Sequence, residues 1–255
     1  MSDPAELLAL AERLAKEAGA MLLDGLGRAR ADIETKSSAT DMVTEMDRAS
    51  EALIVGGIHA ARPDDAVVGE EGADVAGNSG VQWYVDPLDG TTNYLYRVPA
   101  FTVSIAAAVG GRTVAGVVHD PSHGETFTAV RGGGASCNGA PISASAVDEL
   151  GHALVGTGYS YIAEKRALQG PVTAYVLPRV RDLRRFGSAA RDLCWVGCGR
   201  LDAFFEHGLM PWDREAGLLV AAEAGAFTDI TNGLIVACSR KLAPSFRALL
   251  ATAGA

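Results

Sequence analysis

The spacing of apolar residues predicts that the N-terminal quarter of the chain is mainly helical. Leu7, Leu14, Ala18 and Leu22 recur on one helical stripe, and charged residues lie outside that stripe. A second helix is predicted to begin near residue 44 and to end near residue 59. The chain is thus expected to begin with two helices.

A strand-rich region follows these helices. Short apolar runs bounded by turn residues predict buried strands. The predicted strands cover residues 66–68, 81–85, 103–109, 113–119 and 125–130. Asn138 and Gly139 form a favourable two-residue turn for a β-hairpin, because both residue types tolerate a positive φ. The middle of the chain is therefore predicted to contain a strand meander.

Helices and strands alternate in the second half of the chain. Strands are predicted near residues 153–157, 183–186, 201–206, 227–230 and 234–237. Helices are predicted over residues 163–176, 189–196 and 215–224, with a last helix from residue 242. Strand-rich stretches mixed with long helices predict an α/β or α+β fold with mixed sheets in layers. No repeat or linker marks a boundary, so residues 1–255 are predicted to form a single domain.

The chain is acidic and rich in apolar residues. With 31 acidic and 22 basic residues among 255, its formal net charge is −9, and 48% of its residues are hydrophobic. The negative charge argues against a whole-surface binder of nucleic acid or of an anionic membrane, which needs a basic face. No apolar run is long enough to span a bilayer, and the N-terminus lacks the basic and then apolar order of a secretory signal. A cytoplasmic protein with reduced cysteines is therefore expected.

The segment WYVDPLDGTTN, residues 83–93, carries the strongest chemical signal. A buried strand delivers Asp86 to its carboxyl end, and Pro87 is predicted to end the ladder because it has no amide proton. Asp89 follows three residues after Asp86, where a bend can aim both carboxylates at one point. The next two amides would open a short helix and form an anion site beside these carboxylates. The segment therefore predicts a site for a divalent cation and a phosphate; the alternative is a solvated turn.

Three further acidic segments add candidate ligands. Glu70 follows a predicted strand, where the alternative is an exposed acidic turn. Asp47 lies at the start of the second predicted helix and resembles half of a capping box. Asp213 precedes the helical pattern over 215–224, where plain N-capping is the alternative. The four candidate metal ligands are Glu70, Asp86, Asp89 and Asp213. All are oxygen donors, and no His or Cys accompanies them, which favours Mg²⁺ over zinc.

Several enzyme classes lack their motifs here. The chain has no Gly-Lys-Ser/Thr phosphate loop, no Gly-x-Gly-x-x-Gly after a strand and no Gly-x-Ser-x-Gly elbow. These absences disfavour nucleotide-driven kinases, Rossmann dehydrogenases and α/β-hydrolases. A phosphatase of the haloacid-dehalogenase type would place its two Asp residues one residue apart, whereas two residues separate Asp86 from Asp89.

Taken together, these motifs are similar to those of a known family. The sequence resembles the inositol monophosphatase family along most of its length. The matching segments are Lys36-Ser37-Ser38, Asp41-x-Val43-Thr44-x-x-Asp47, Gly69-Glu70-Glu71, residues 86–93, Gly187-Ser188-Ala189-Ala190 and Trp212-Asp213. Residues 86–91 combined with Trp212-Asp213 are the most specific part. The resemblance implies a layered αβαβα sandwich and a homodimer.

The resemblance also implies a role for each site residue. The implied metal ligands are Glu70, Asp86, the Leu88 carbonyl, Asp89 and Asp213. Asp47, Thr91 and Glu70 are implied to activate the attacking water, and Lys36 to belong to a loop that closes over the site. The implied substrate-binding residues are Glu70, Leu88, Asp89, Gly90, Thr91, Arg184, Ser188, Ala189, Glu206 and Asp213. Within that set, the amides of Gly90 and Thr91 hold the phosphate, and Glu206 reads a polyol hydroxyl.

The implied activity is Mg²⁺-dependent hydrolysis of myo-inositol monophosphate, with lithium as an inhibitor. Physical reasoning agrees, because a monoester dianion resists attack by another anion unless its charge is neutralised. One alternative is a related phosphatase that acts on histidinol phosphate, a 3′-nucleotide phosphate or fructose bisphosphate. The other is a regulatory protein that keeps the fold and joins a transcription or RNA assembly through the arginines of residues 179–185. Neither a membrane nor a nucleic acid is expected as the main partner.

Overall fold

The computed structural model describes residues 3–26, 33–35 and 42–255. Two mixed β-sheets, one two-stranded antiparallel sheet and three layers of helices make up this part of the chain. Lys36, which the resemblance places in a closing loop, lies outside the described residues.

Helices form where the apolar periodicity predicts them. They are α1 (Pro4–Gly25), α2 (Glu45–Ala61), α3 (Thr91–Tyr96), α4 (Ala163–Val176), α5 (Ala189–Gly197), α6 (Pro211–Glu223) and α7 (Ala243–Ala253). The bounds of α4 are those predicted, and the predicted ends of α2, α5 and α7 lie within two residues of the observed ones. The carboxylate of Asp3 caps α1 by accepting from the Ala5 amide at 2.9 Å.

Every predicted apolar run forms a strand, and further short strands lie outside those runs. The strands are β1 (Ile33–Thr35), β2 (Met42–Thr44), β3 (Ala66–Gly69), β4 (Asp74–Val75), β5 (Val81–Asp89), β6 (Thr102–Val109), β7 (Arg112–Asp120), β8 (Glu125–Val130), β9 (Gly134–Cys137), β10 (Ala140–Pro141), β11 (Leu154–Thr157), β12 (Asp182–Arg184), β13 (Ala203–His207), β14 (Phe227–Thr231) and β15 (Leu234–Cys238). The predicted hairpin turn is confirmed between β9 and β10, where Asn138 and Gly139 have φ angles of 50° and 77°.

The larger sheet places the strand ends that matter for function side by side. Its eight strands follow the order β10-β9-β8-β7-β6-β5-β3-β4. β3 and β5 are parallel, whereas all other neighbours in this sheet are antiparallel. Because parallel strands end at the same edge, the residues after β3 and β5 meet there.

The smaller sheet has five strands in the order β12-β11-β13-β15-β14. β11 runs parallel to β12 and to β13, and the remaining pairs are antiparallel. The carboxyl ends of β11, β12 and β13 therefore also meet at one edge of this sheet.

The layers alternate in the order α, β, α, β, α. Leu14 of α1 packs with Trp83 of the larger sheet in a core that α2 shares. Between the two sheets lie α5 and α6: Cys194 packs toward the larger sheet and Leu193 toward the smaller one. Phe246 of α7 packs on the outer face of the smaller sheet, beside α4. The predicted mixed α/β fold and its five-layer order are confirmed.

One local prediction is wrong, because β5 does not end before Pro87 but continues to Asp89. The register with β6 shifts between Asp86 and Asp89, so Pro87 lies at an irregular step where the ladder needs no amide donor. Its carbonyl accepts from the Ser50 hydroxyl of α2 at 2.8 Å. The proline therefore interrupts the ladder without ending the strand.

Two further expectations concern the whole chain. No helix within the described ranges combines the length and the apolar composition that crossing a bilayer requires. The four cysteines are free thiols, as expected, and Cys194 and Cys238 are buried.

Candidate active site

Strand ends and helix starts line one cleft of about 110 Å³. Most of the predicted site residues line it, namely Glu70, Asp86, Leu88, Asp89, Gly90, Thr91, Ser188, Ala189, Glu206 and Asp213. These residues follow β3, end β5 and β13, or lie at the starts of α3, α5 and α6. The fold thus brings together side chains that are far apart in the sequence.

Three of the carboxylates form a close group. One oxygen each of Glu70, Asp86 and Asp213 lies within 4.8 Å of the other two. Glu70 directly follows β3, and its amide donates to the Val85 carbonyl of β5 at 3.1 Å. This bond continues the parallel pairing of β3 and β5 and places Glu70 beside Asp86. Neighbouring strand ends therefore supply the first two carboxylates, and the start of α6 supplies the third.

A carboxylate of α2 shapes the turn that carries Glu70. Glu51 accepts from the amides of Glu71 at 2.9 Å and Ala73 at 3.2 Å. A Cβ atom at Gly69 would lie 2.1 Å from Glu51 Oε1, so a larger residue at this position would displace that carboxylate. Glu51 and Gly69 together fix the chain direction just after β3.

The structure corrects the predicted position of Asp213 in its helix. α6 begins at Pro211, so Asp213 is the third helical residue rather than the N-cap. Its Oδ2 accepts from the Met210 amide at 2.6 Å, which still caps the helix start. The Ser104 hydroxyl of β6 donates to the Trp212 carbonyl at 3.0 Å and ties this helix start to the larger sheet.

The close carboxylates repel one another. Burial raises the pKa of Asp86 well above its usual range, and the charges of Glu70 and Asp89 raise it further. Burial also raises the pKa of Asp213, with added contributions from the charges of Asp89 and Glu70. A divalent cation between these groups would remove the repulsion. Because the donors are all oxygen atoms, the group fits a hard cation such as Mg²⁺.

Asp89 lines the same cleft but is held by α5. Its Oδ2 accepts from the Ser188 hydroxyl at 2.7 Å and from the Ala190 amide at 2.9 Å. Burial raises the pKa of Asp89, while these two hydrogen bonds and the charge of Arg191 act in the opposite direction. The start of α5 therefore fixes one oxygen of this carboxylate.

A hydroxyl joins the cleft to a buried carboxylate of α2. Thr91 Oγ1 lies 3.1 Å from Asp47 Oδ1 and also 3.1 Å from the Leu88 carbonyl oxygen. Asp47 is 1% exposed and does not itself line the cleft, so it reaches the cleft through Thr91. Gly90, the residue before Thr91, has a φ of 94°, and a Cβ atom at Gly90 would lie 2.9 Å from the Ala100 carbonyl oxygen. Only glycine suits this position.

The far wall contains the predicted polyol contact, but not the predicted arginine. Glu206 of β13 lines the cleft, and burial raises its pKa to about 8, with a further contribution from the charge of Asp89. Arg184 does not line the cleft: it is half exposed, pairs with Asp182 and donates to the Leu183 carbonyl at 2.8 Å. The next residue, Arg185, lines the cleft instead.

Sequence reasoning missed several cleft residues. Arg185, Tyr161 and Asp192 also line the cleft. The arginine run was a visible signal for Arg185, but it did not indicate which side chain faces inward. Asp192 lies one helical turn after Ser188 on α5, a spacing that places both residues on the same face. Nothing in the sequence singled out Tyr161.

Comparisons with known proteins agree with this geometry. The chain matches the model of the inositol monophosphatase family over residues 3–253. It is 44% identical over 243 residues to the inositol-1-monophosphatase SuhB of Mycobacterium tuberculosis, which covers 88% of this chain and 84% of that relative. It is 40% identical over 230 residues to the Nus factor SuhB of Escherichia coli, which covers 89% of this chain and 86% of that relative.

A solved structure supports the same relationship. The extragenic suppressor protein SuhB of Bartonella henselae superposes with a TM-score of 0.91 at 34% identity, covering 96% of this chain and 98% of that chain. Sequence and structure therefore agree along nearly the whole length. The chain belongs to the inositol monophosphatase family.

Proposed function

We propose that the protein is a Mg²⁺-dependent phosphoric monoester hydrolase that converts myo-inositol monophosphate to myo-inositol and phosphate. The main support is the group of Glu70, Asp86 and Asp213, whose oxygens lie within 4.8 Å of one another. Thr91, in contact with Asp47, lines the cleft that holds this group. A cation site beside a hydroxyl and a buried base is what hydrolysis of a monoester dianion requires.

The proposed metal ligands are Glu70, Asp86, the Leu88 carbonyl, Asp89 and Asp213. Bound there, Mg²⁺ supplies charge neutralisation of the monoester dianion and lowers the pKa of water. The chain's own contribution is to gather the carboxylates in advance, using the paired ends of β3 and β5 and the capped start of α6.

Asp47 and Thr91 orient and deprotonate the attacking water, with support from Glu70. The Thr91 hydroxyl can donate to Asp47 while its lone pairs accept from a water in the cleft. The water then gives its proton to Thr91 Oγ1 as the Thr91 proton passes to Asp47 Oδ1. Burial of Asp47 keeps this carboxylate apart from bulk solvent.

The remaining residues bind the substrate. The amides of Gly90 and Thr91, at the start of α3, hold the phosphate. Ser188 and Ala189 contact the alcohol from the start of α5, and Glu206 accepts a hydrogen bond from one of its hydroxyls. Arg184 is left out of this set because it lies outside the cleft lining, and the closing role of Lys36 stays a prediction.

The family relationship supports the choice of substrate and several finer properties. The Mycobacterium tuberculosis relative carries the name inositol-1-monophosphatase. On the same basis we propose that the protein is a homodimer, acts in the cytoplasm and is inhibited by lithium.

A second candidate function is regulatory. The Escherichia coli relative is named as a Nus factor, so this chain is a candidate member of a transcription assembly. The close carboxylate group favours the enzyme, because a protein that only binds partners has no need to hold Glu70, Asp86 and Asp213 so near one another.

A phosphate-release panel tests the proposal. The substrates are myo-inositol 1-phosphate, histidinol phosphate, a 3′-phosphorylated nucleotide and fructose bisphosphate, each with and without Mg²⁺. We expect the highest kcat/KM for the inositol ester, in the presence of Mg²⁺ only. Asp86→Asn should lower kcat by about a hundredfold or more, since a charged metal ligand is replaced by a neutral amide.

The matched control is Asp202→Asn. Asp202 accepts from the Leu154 amide at 2.8 Å and does not line the cleft, so full activity is expected. Preference for another ester would overturn the substrate assignment, and no release from any ester would overturn the enzymatic function.

A further inference from the structure

The floor of the cleft contains a buried carboxyl group that the proposed mechanism does not use. Asp192 of α5 lines the cleft and is 1% exposed. Its amide donates to the Ser188 carbonyl at 3.1 Å, so it lies one turn below a residue proposed to contact substrate.

The Asp192 carboxyl has an unmet hydrogen-bonding requirement. Its Oδ1 has no hydrogen-bond partner among the described residues. Arg191 Nη2 lies 3.9 Å from that oxygen, beyond hydrogen-bonding distance. A buried acceptor without a partner costs free energy. A donor group from a bound molecule would remove that cost.

Two glycines make room for this carboxyl and for that of Glu206. Gly156 and Gly158 are two residues apart at the end of β11, so they face the same side of the strand. A Cβ atom at Gly158 would lie 2.0 Å from Glu206 Oε2, and one at Gly156 would lie 3.6 Å from Asp192 Oδ2. Both carboxyls therefore lie over one strip of backbone that carries no side chains.

We propose that Asp192 is a specificity-determining residue that, together with Glu206, binds two hydroxyl groups of a polyol leaving group. This inference rests on the proposed phosphatase function and adds the chemistry of the alcohol that the site selects. A carboxyl group accepts a hydrogen bond from an alcohol whether it is charged or neutral. Two such acceptors along one strip of backbone favour a polyol over an alcohol that lacks hydroxyls at those positions. An alcohol without those hydroxyls would leave the buried acceptors unpaired.

Two esters that share a six-membered ring test this inference. They are myo-inositol 1-phosphate and cyclohexyl phosphate, whose ring carries no free hydroxyl. Asp192→Leu keeps the branching at Cγ and removes both acceptor atoms. We expect it to raise KM and lower kcat/KM about tenfold for the inositol ester, the effect of one lost hydrogen bond, and to change the cyclohexyl ester by less than about twofold.

Conservative variants separate recognition from folding. Asp192→Asn keeps an acceptor oxygen and is expected to stay within about threefold of the native enzyme on both esters. Asp202→Asn, a carboxyl-to-amide change near the amino end of β13 and outside the cleft, should alter neither ester. Melting temperatures of all variants establish that each is folded.

The outcomes are distinct. Equal losses on both esters in Asp192→Leu would assign Asp192 a structural role and overturn the inference, as would unchanged kinetics on the inositol ester. Failure of Asp192→Asn to restore the preference for the inositol ester would also overturn it. If the native enzyme releases no phosphate from the inositol ester and none from the cyclohexyl ester, the proposed function is overturned instead.

Discussion

Glu206 shows at the residue scale how burial changes the chemistry of a carboxyl group. This residue of β13 lies against the backbone of Gly158, which follows β11. Burial raises the pKa of Glu206 to about 8. In the metal-free protein at neutral pH, the group is therefore largely protonated. It can then donate a hydrogen bond to a hydroxyl as well as accept one.

Replacing Glu206 with Gln should stabilise the metal-free protein in alkaline solution. The unfolded carboxyl ionises near 4.5, whereas the folded one keeps its proton until about pH 8. The free energy of unfolding of the native chain therefore falls as pH rises through this window, and the variant avoids that loss. Its advantage should grow from near zero below pH 4.5 to at most about 5 kcal/mol above pH 8.

Urea unfolding in EDTA at about pH 4, 6 and 9 measures this difference. An advantage that does not grow with pH would contradict the raised pKa of Glu206.

Roles of single residues were the hardest to predict from the sequence. Arg184 and Arg185 are adjacent, and neighbouring side chains on an extended chain point to opposite sides. Arg184 shares a side with Asp182 and pairs with it, which leaves Arg185 in the cleft. Of two adjacent arginines, one therefore faces the cleft and the other faces solvent. The pattern of arginines in the sequence does not show which of the two faces the cleft.

At the scale of elements, strongly periodic segments were predictable and their ends less so. The bounds of α4 were predicted without error, whereas α6 begins four residues before the prediction. The helical spacing of apolar residues begins only at Glu215, so it did not predict the first turn of α6. Pro211 was the missed signal, because proline is common at the first helical position. The continuation of β5 through Pro87 depends on its partner strand β6, which local pattern does not describe.

The start of α5 gives an element-scale prediction for activity. Ser188 caps this helix and donates to Asp89 Oδ2 at 2.7 Å. Ser188→Ala should lower kcat/KM about tenfold, since Asp89 loses a hydrogen bond that orients it, and should lower the free energy of unfolding by about 1 kcal/mol. Ser245→Ala near the start of α7, where the hydroxyl donates to the Leu242 carbonyl at 3.0 Å, should leave activity unchanged. Native activity in Ser188→Ala would contradict the orienting role.

The segment between α2 and β3 gives a stability prediction. Asp65 is 2% exposed and accepts from Arg62, from Ser79 Oγ at 2.6 Å and from Trp83 Nε1 at 2.9 Å. Burial alone would raise its pKa, but these hydrogen bonds together lower the pKa below the usual value.

Asp65→Asn should therefore lower the free energy of unfolding by about 2 kcal/mol near neutral pH. Because the folded pKa is depressed, this stability is present above pH 3.8 and is lost as pH falls through the folded value. Chemical denaturation across the acid range measures the difference. A loss that persists unchanged in strong acid would show that the charge of Asp65 is not its cause.

At the scale of the whole molecule, the layered fold assembles the site from distant segments. The parallel pair β3 and β5 supplies Glu70 and Asp86, and the helix layer between the sheets supplies Asp213. Periodicity predicts these elements but not which ends meet. The acidic motifs, and their resemblance to those of a known family, predicted that arrangement, and in the structure Glu70, Asp86 and Asp213 lie close together. The repulsion among these carboxylates then links the stability of the molecule to its cation.

Magnesium should therefore stabilise the native protein. The melting temperature should rise when Mg²⁺ replaces EDTA, because the ion binds the folded carboxylate group and not the unfolded chain. In Asp86→Asn a charged ligand is replaced by a neutral amide and one repelling charge is removed, so the Mg²⁺-dependent rise should be much smaller. Asp202→Asn should keep the full rise. Equal rises in all three proteins would place the stabilising ion elsewhere.

The most direct measurement is a crystal structure with Mn²⁺ and inorganic phosphate, using the anomalous signal of manganese. Mn²⁺ prefers the same oxygen donors as Mg²⁺. We predict an anomalous peak bound by Glu70, Asp86 and Asp213, with the phosphate at the amides of Gly90 and Thr91. Carboxylates that remain without an ion while manganese binds elsewhere would contradict the proposed metal centre.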